Sequence, residues 1–213
     1  MYNIAIDGPS GAGKSSVSNV IASKLNLTHL DTGAMYRCVA YYAINNNVAL
    51  DDEANIKNLL ESLNLECDHN IFSINGTAVG DEIRTNKISL GASDVSKLGC
   101  VRTWLVAKQQ EIARDGGYIL DGRDIGTVVL KDAKYKFFLT ASPEVRADRR
   151  VKEYKEKNIE CNYNDILQDI IKRDYQDSHR TISPLKQADD AILIDSSNLN
   201  MDEVVDLILS YIK

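Results

Sequence analysis

The residues near the start carry the clearest chemistry. The stretch Asp7-Gly8-Pro9-Ser10-Gly11-Ala12-Gly13-Lys14-Ser15 follows the short apolar run Ile4-Ala5-Ile6. Gly8-x4-Gly13-Lys14-Ser15 fits the P-loop pattern. Gripping a phosphate requires these residue types. Gly8, Gly11 and Gly13 leave out side chains that would obstruct close backbone wrapping. Loop amides and the start of the following helix aim partial positive charge at the anion. Lys14 can reach the outer phosphates, and the Ser15 hydroxyl suits magnesium, a hard ion that prefers oxygen. The turn is therefore expected to hold a nucleoside triphosphate.

A second set of cations points to phosphoryl transfer. A nucleotide-driven switch and a kinase both use this grip, but a kinase needs cations for a second phosphate and for the transferring group. Arg37 follows Asp31-Thr32-Gly33-Ala34-Met35-Tyr36 at the start of a helix, and Arg84 lies before and Arg102 within a long predicted helix. Arg123 lies in Asp121-Gly122-Arg123-Asp124, just past a strand's carboxyl end, where open α/β sheets bind ligands. Arg146, Arg149 and Arg150 are clustered, and Arg173 and Arg180 lie seven apart. The Asn-Lys-x-Asp guanine reader of a GTPase switch is missing: Asn86-Lys87-Ile88-Ser89 lacks the aspartate. Three polar positions keep two readings each. Asp121 acts near magnesium through water or caps the next loop; Ser93 binds ligand or caps a helix; Asp124 meets the acceptor or pairs with an arginine. His29, His69 and His179 show no ligand spacing and read as ordinary surface or packing residues.

The elements that must position these groups alternate in type. Strands are expected at Asn3–Asp7, Tyr118–Leu120, Lys136–Leu139 and Ala191–Ile194. Helices are expected at Ser15–Asn26, Ala34–Asn45, Asp51–Leu63, Ser93–Asp115, from Ser142-Pro143, at Asn164–Asp177 and at Met201–Ile212. Between them Leu65–Val79 alternates and carries turn pairs at His69-Asn70 and Asn75-Gly76, the signature of a small antiparallel hairpin. The fold class is α/β, with a central parallel sheet flanked by helices, a small antiparallel insert and a lid. The expected core covers about 1–63, 86–145 and 165–213, the insert about 64–85 and the lid about 146–164.

Bulk composition narrows the classes. The 213 residues suit a single domain, and 44% hydrophobic with 26% charged residues supports a packed core. A net charge of -6 gives no basic footprint for nucleic acid. The four cysteines, Cys38, Cys67, Cys100 and Cys161, form no CxxC pair and read as free thiols in a reducing compartment. No apolar run approaches the roughly 18 residues of a membrane span. The expectation is a soluble cytoplasmic protein with no signal peptide.

Six stretches together resemble the bacterial cytidylate kinases of the nucleoside monophosphate kinase family. They are IDGPSGAGKS at 6–15, LDTGAMYR at 30–37, DEIRT at 81–85, DGRDIGTVV at 121–129, FLTASPEVRADRR at 138–150 and KRDYQDSHRTISPL at 172–185. The resemblance spans nearly the whole chain. It implies transfer of the γ-phosphate of ATP to CMP, and to dCMP, with magnesium, by a monomer that binds neither nucleic acid nor membrane. The rival specificities are UMP or UMP/CMP; the rival class is a regulatory nucleotide-binding protein without transfer. By the same resemblance, ATP is held by Gly8, Pro9, Ser10, Gly11, Ala12, Gly13, Lys14, Ser15 and Ser16, with Arg149 from the lid. CMP is held by Ser10, Thr32, Arg37, Ser93, Arg102, Arg123, Asp124, Arg173, Asp177 and Arg180. The catalytic set is Lys14, Arg123 and Arg180, and the metal set is Ser15 with Asp121 through water. Ser15 stands where some members carry glycine ahead of a hydroxyl residue, so Ser16 shares or competes for the magnesium role.

Overall fold

A computed structural model describes residues 1–68 and 70–213. His69, half of one expected turn pair, lies outside the described residues. The body is a five-stranded parallel sheet made of β1 (Ile4–Asp7), β2 (Thr28–Asp31), β6 (Tyr118–Gly122), β7 (Tyr135–Thr140) and β8 (Ile192–Asp195), in the order β2-β6-β1-β7-β8. Its two faces fill separate cores, as the two-residue period of a strand dictates. On β1, Ile4 and Ile6 pack with Ile119, Phe137, Leu139 and Ile194 under α1 (Lys14–Leu25) and α8 (Met201–Tyr211). Ala5 faces the other way and joins Leu120 and Leu30 beneath α2 (Thr32–Asn45), α3 (Glu53–Ser62) and α5 (Gly99–Ile112).

Helix starts follow the sequence signals. Asp31 caps α2 by accepting from the Ala34 amide at 3.0 Å, and Asp52 caps α3 through the Asn55 amide at 3.1 Å. Ser142 caps α6 (Pro143–Glu156) with proline in its first turn. Asn200 and Glu203 close a reciprocal box on α8. α7 (Tyr163–His179) is capped by Asn162. No helix among the described residues is long and apolar enough to cross a membrane.

Three expectations need correction. The helix drawn over Ser93–Asp115 is two helices, α4 (Asn86–Val95) and α5, separated by an extended Leu98. The reason is packing. Ile88, Gly91, Ala92 and Val95 are buried along α4, while Val101 and Leu105 are buried along α5. Gly91 brings α4 so close to α2 that an added Cβ would lie 3.3 Å from the Ala40 Cβ. One straight rod cannot present both rows. Ser93 therefore sits inside the last turn of α4 and does not cap a helix. The second correction concerns the insert, which is a three-stranded meander of β3 (Leu65–Asp68), β4 (Ile71–Ile74) and β5 (Thr77–Val79). The Asn75-Gly76 turn has φ of 50° and 79°, the left-handed pair that a tight two-residue hairpin needs. Third, β2 had no sequence signal: four mostly polar residues form an edge strand because β6 offers it a parallel partner.

Candidate active site

The carboxyl ends of β1, β2 and β6 converge. Register places Asp7 opposite Gly122 and Asp31 opposite Asp121, so the loops after these strands open into one space. That space is a cleft of about 620 Å³. Among its lining residues are every expected site residue except Gly8 and Pro9.

Those two exceptions have other duties. Gly8 has φ 148° and lies so close to β7 that a Cβ would sit 1.9 Å from the Leu139 carbonyl oxygen. Its lack of a side chain answers the neighbouring strand rather than a phosphate. The Pro9 carbonyl accepts from Lys14 Nζ at 2.8 Å. Gly13 does fit the phosphate argument: its φ is 93° and a Cβ there would meet nothing within 4 Å, so the space beside its backbone is open. Gly13 leads directly into α1, whose first residue is Lys14. Burial, with help from nearby Arg123, pushes the Lys14 ammonium down to about 7.

The acidic residues are wired differently from one another. Asp121 does not cap the next loop. Its Oδ2 accepts from Ser15 Oγ at 2.8 Å, and its Oδ1 lies 2.6 Å from His29 Nε2. Thr32 Oγ1 donates to the Asp121 carbonyl at 2.7 Å. Asp7, which the sequence shows only as the end of a strand, accepts from the Ile125 and Gly126 amides at 2.8 and 2.7 Å. It thereby fastens the P-loop strand to the π-helical turn Ile125–Val129 that follows Asp124. Burial pushes the Asp7 carboxyl up to about 6 against those two bonds.

Facing the P-loop is a basic wall. Arg123 Nε donates to Asp177 Oδ2 at 2.8 Å. Burial works against the Asp177 charge, but Arg123, Arg173 and Arg180 outweigh it and hold its carboxyl below the usual range. Burial, with help from Arg123, pushes Arg173 down to about 10. Arg102 bonds Asp124, and Arg180 Nη2 lies 3.8 Å from the other Asp124 oxygen. Arg37 is paired with Asp31 at 2.8 Å. The wall is short of acceptors. Among the described residues, Nε of Arg37, Arg102 and Arg173 and Nη2 of Arg180 are buried without a hydrogen-bond partner. Buried donors of this kind cost free energy until an acceptor arrives, so the cleft is built to take up an anion.

A family model described as cytidylate kinase matches residues 4–213. The chain belongs to the cytidylate kinase family. Curated cytidylate kinases of Clostridium botulinum strain Hall and Clostridium acetobutylicum are each 49% identical to it, and each alignment covers 99% of this chain and 97% of the relative. That of Clostridium tetani is 47% identical over 99% of this chain and 93% of the relative. Among solved structures, an uncharacterized protein from Eubacterium ventriosum aligns with a TM-score of 0.57 at 14% identity, covering 100% of this chain and 98% of the other. Shikimate kinase from Bacteroides thetaiotaomicron aligns at 0.50 and 12% identity, covering 99% and 97%. These two likenesses show the fold alone. Family membership makes the chain an enzyme, a nucleoside monophosphate kinase.

Some members of this cytidylate kinase site differ from expectation or were missed. Arg146 is not a free lid residue. It is 2% exposed, donates to the Ser10 carbonyl at 3.0 Å and forms a two-pronged pair with Asp174 at 3.0 and 2.5 Å. It braces the P-loop against α7. Arg149 is anchored by the Ser196 carbonyl at 2.7 Å, whereas Arg150 stays partly exposed beside Glu153. Ser93 Oγ accepts from Gln176 at 2.8 Å, linking α4 to α7. Tyr36 was passed over, although its ring lies 5.6 Å from the Arg102 guanidinium and lines the cleft; its place beside Arg37 in the sequence was the available signal. His29 is no ordinary packing residue, being buried against Asp121. His179 is exposed and stacks on Tyr175.

Proposed function

We propose that the chain transfers the γ-phosphoryl group of ATP to CMP and dCMP, as a cytoplasmic monomer that uses magnesium. The observation that carries this reading is the wall of acceptor-starved arginines across one cleft from the P-loop. ATP sits on the turn from Ser10 to Ser16, with Arg149 on its outer side. The CMP phosphate meets Arg37, Arg123 and Arg173, with Asp177 and Arg180 toward the sugar and Ser93, Arg102 and Asp124 toward the base. The insert is the acceptor lobe, and the exposed part of α6 with the loop after it forms the lid.

The reaction needs little covalent help from the protein. The acceptor phosphate is itself the nucleophile and is already anionic near neutral pH, since the second pKa of a phosphate ester is about 6. No general base is required. Lys14, Arg123 and Arg180 hold the reacting groups in line and neutralise charge that spreads over the transferring oxygens. The oxygen-rich pair of Ser15 and Asp121, already within 2.8 Å of each other, fits magnesium. Ser15 would bind it directly, Asp121 through water, and Ser16 is exposed close by. Bound there, the ion neutralises phosphate charge. Closing the lid excludes water, which competes as an acceptor.

Base choice follows from donor and acceptor placement. Cytosine offers an N4 amino donor beside an N3 acceptor, and the buried Asp124–Arg102 pair offers an acceptor beside a donor. Uracil reverses both positions. An ADP-release assay over CMP, dCMP, UMP and other monophosphates tests the reading. Comparable UMP and CMP rates would make the chain a UMP/CMP kinase, and ATP binding without transfer to any acceptor would make it a regulatory protein.

Asp124→Asn sharpens this test. The amide can turn its donor toward the uracil carbonyl, while toward cytosine N4 its neutral oxygen is a weaker acceptor than the carboxylate. Such a contact is worth about 1–3 kcal/mol, or roughly 5–150-fold. The CMP-over-UMP ratio of kcat/KM should narrow by about that factor, mainly through loss of CMP. An equal fall for both substrates would mean that Asp124 only orients Arg102 and Arg180.

A further inference from the structure

A chain of hydrogen bonds runs from the insert to the P-loop through a histidine. Asn70, in the turn between β3 and β4, accepts at Oδ1 from the Asp31 backbone amide at 2.9 Å. A backbone N–H can only donate, so this bond fixes which way the Asn70 amide faces. Its Nδ2 must then donate to His29 Nδ1, 2.9 Å away. A nitrogen that accepts carries no proton, so the imidazole proton sits on Nε2 and points at Asp121 Oδ1, 2.6 Å away. The other Asp121 oxygen accepts from Ser15 Oγ at 2.8 Å. His29 and Asp121 are 9% and 3% exposed, so water cannot readily replace these bonds.

We propose that His29 is a positioning residue. Its neutral Nε2–H tautomer, fixed by Asn70 of the insert, holds the Asp121 carboxylate turned toward Ser15. The insert on the acceptor side is thereby wired to the carboxylate on the donor side. This rests on the reading above that places Asp121 at the phosphate end of the site.

The physical argument is orientation. A buried carboxylate with one oxygen left without a donor turns to find another, and that turn takes Oδ2 off Ser15. Partners one layer behind a ligating group commonly matter by about 10–100-fold. His29→Leu should lower kcat by about that factor, with KM for CMP little changed, because no CMP contact is lost. His29→Gln can still donate to Asp121 and should recover most of the loss. Asn70→Ala should cost kcat less. In the His29→Leu background its loss should shrink to what the Asp31 amide bond alone contributes, because the rest of its route runs through the ring.

A direct readout needs neither turnover nor metal. Nitrogen NMR of the metal-free, imidazole-labelled wild-type enzyme should show His29 protonated at Nε2 and bare at Nδ1. Asn70→Ala should move it toward a mixture of tautomers. A wild-type ring protonated at Nδ1, additive losses in the double variant, or a His29→Gln variant no better than His29→Leu would each overturn the proposal. Asp121→Asn separates it from the reading beneath: full turnover in that variant removes the role of Asp121 itself. A disabled Asp121→Asn beside a fully active His29→Leu overturns the positioning role alone.

Discussion

Lys14→Met should reduce turnover by at least about 10²–10³-fold, the usual cost of one donor aimed at developing charge, without lowering the melting temperature at pH 8. The two halves share one cause. Lys14 is only 6% exposed, and burial brings its pKa from 10.5 to about 7. At pH 8 the free enzyme therefore holds this side chain mostly neutral. Bound phosphates stabilise the ammonium, so ATP binding takes up a proton. ATP affinity should weaken from pH 7 to pH 9, at most by about tenfold per unit, and lose this dependence in Lys14→Met. Stability runs the other way. Between about pH 7 and 10.5 the unfolded chain holds the Lys14 proton and the folded chain does not. The unfolded state thus binds more protons, and this group makes stability rise with pH across that window. Calorimetric ATP binding, melting curves and a coupled assay measure all three. Near-normal turnover in Lys14→Met would remove the phosphate-binding reading, and a collapsed fold would make the lysine structural.

Arg123→Ala should cost turnover a similar factor, about 10²–10³-fold, yet leave ATP affinity measured without CMP nearly unchanged. Its guanidinium is held by Asp177 on α7 rather than by the P-loop backbone, in keeping with the acceptor-side place proposed for it. Removing it also releases Asp177 from its strongest favourable charge, and CMP affinity should fall with turnover. A large loss of ATP affinity with normal CMP affinity would move Arg123 to the donor side.

What could be read from the sequence was what lies close along the chain. Gly13, Lys14 and Ser15 adjoin one another, and the strand before them and the helix after them are local patterns. The Ser142-Pro143 start and the Asn75-Gly76 turn are likewise short-range. Distant partners were not legible. His29 acquires meaning only from Asp121, 92 positions away, and from Asn70. Arg146 resembled its exposed neighbours until α7 brought Asp174 to it. β2 has too few apolar residues to announce itself, and α4 and α5 merge in any pattern that ignores which surface each helix must cover. Gly8 was legible as a glycine that mattered, but the crowding comes from β7, more than a hundred residues on.

The small antiparallel sheet shares its interior with the body. Phe72, Ile74 and Ile83 belong to the same apolar cluster as Leu30 and Ala5. It is therefore no detachable cassette: excising it would strip a flank of the main core, and swinging it as a rigid flap would peel oily surface into water. What lies open to solvent is its tip. Thr77 is exposed there, whereas Asn75 accepts from the Asn64 amide and Gly76 has the left-handed φ of 79° that the turn needs. Thr77 is the place for a fluorophore or an epitope, where a label would travel with the lobe while leaving the packing beneath it intact.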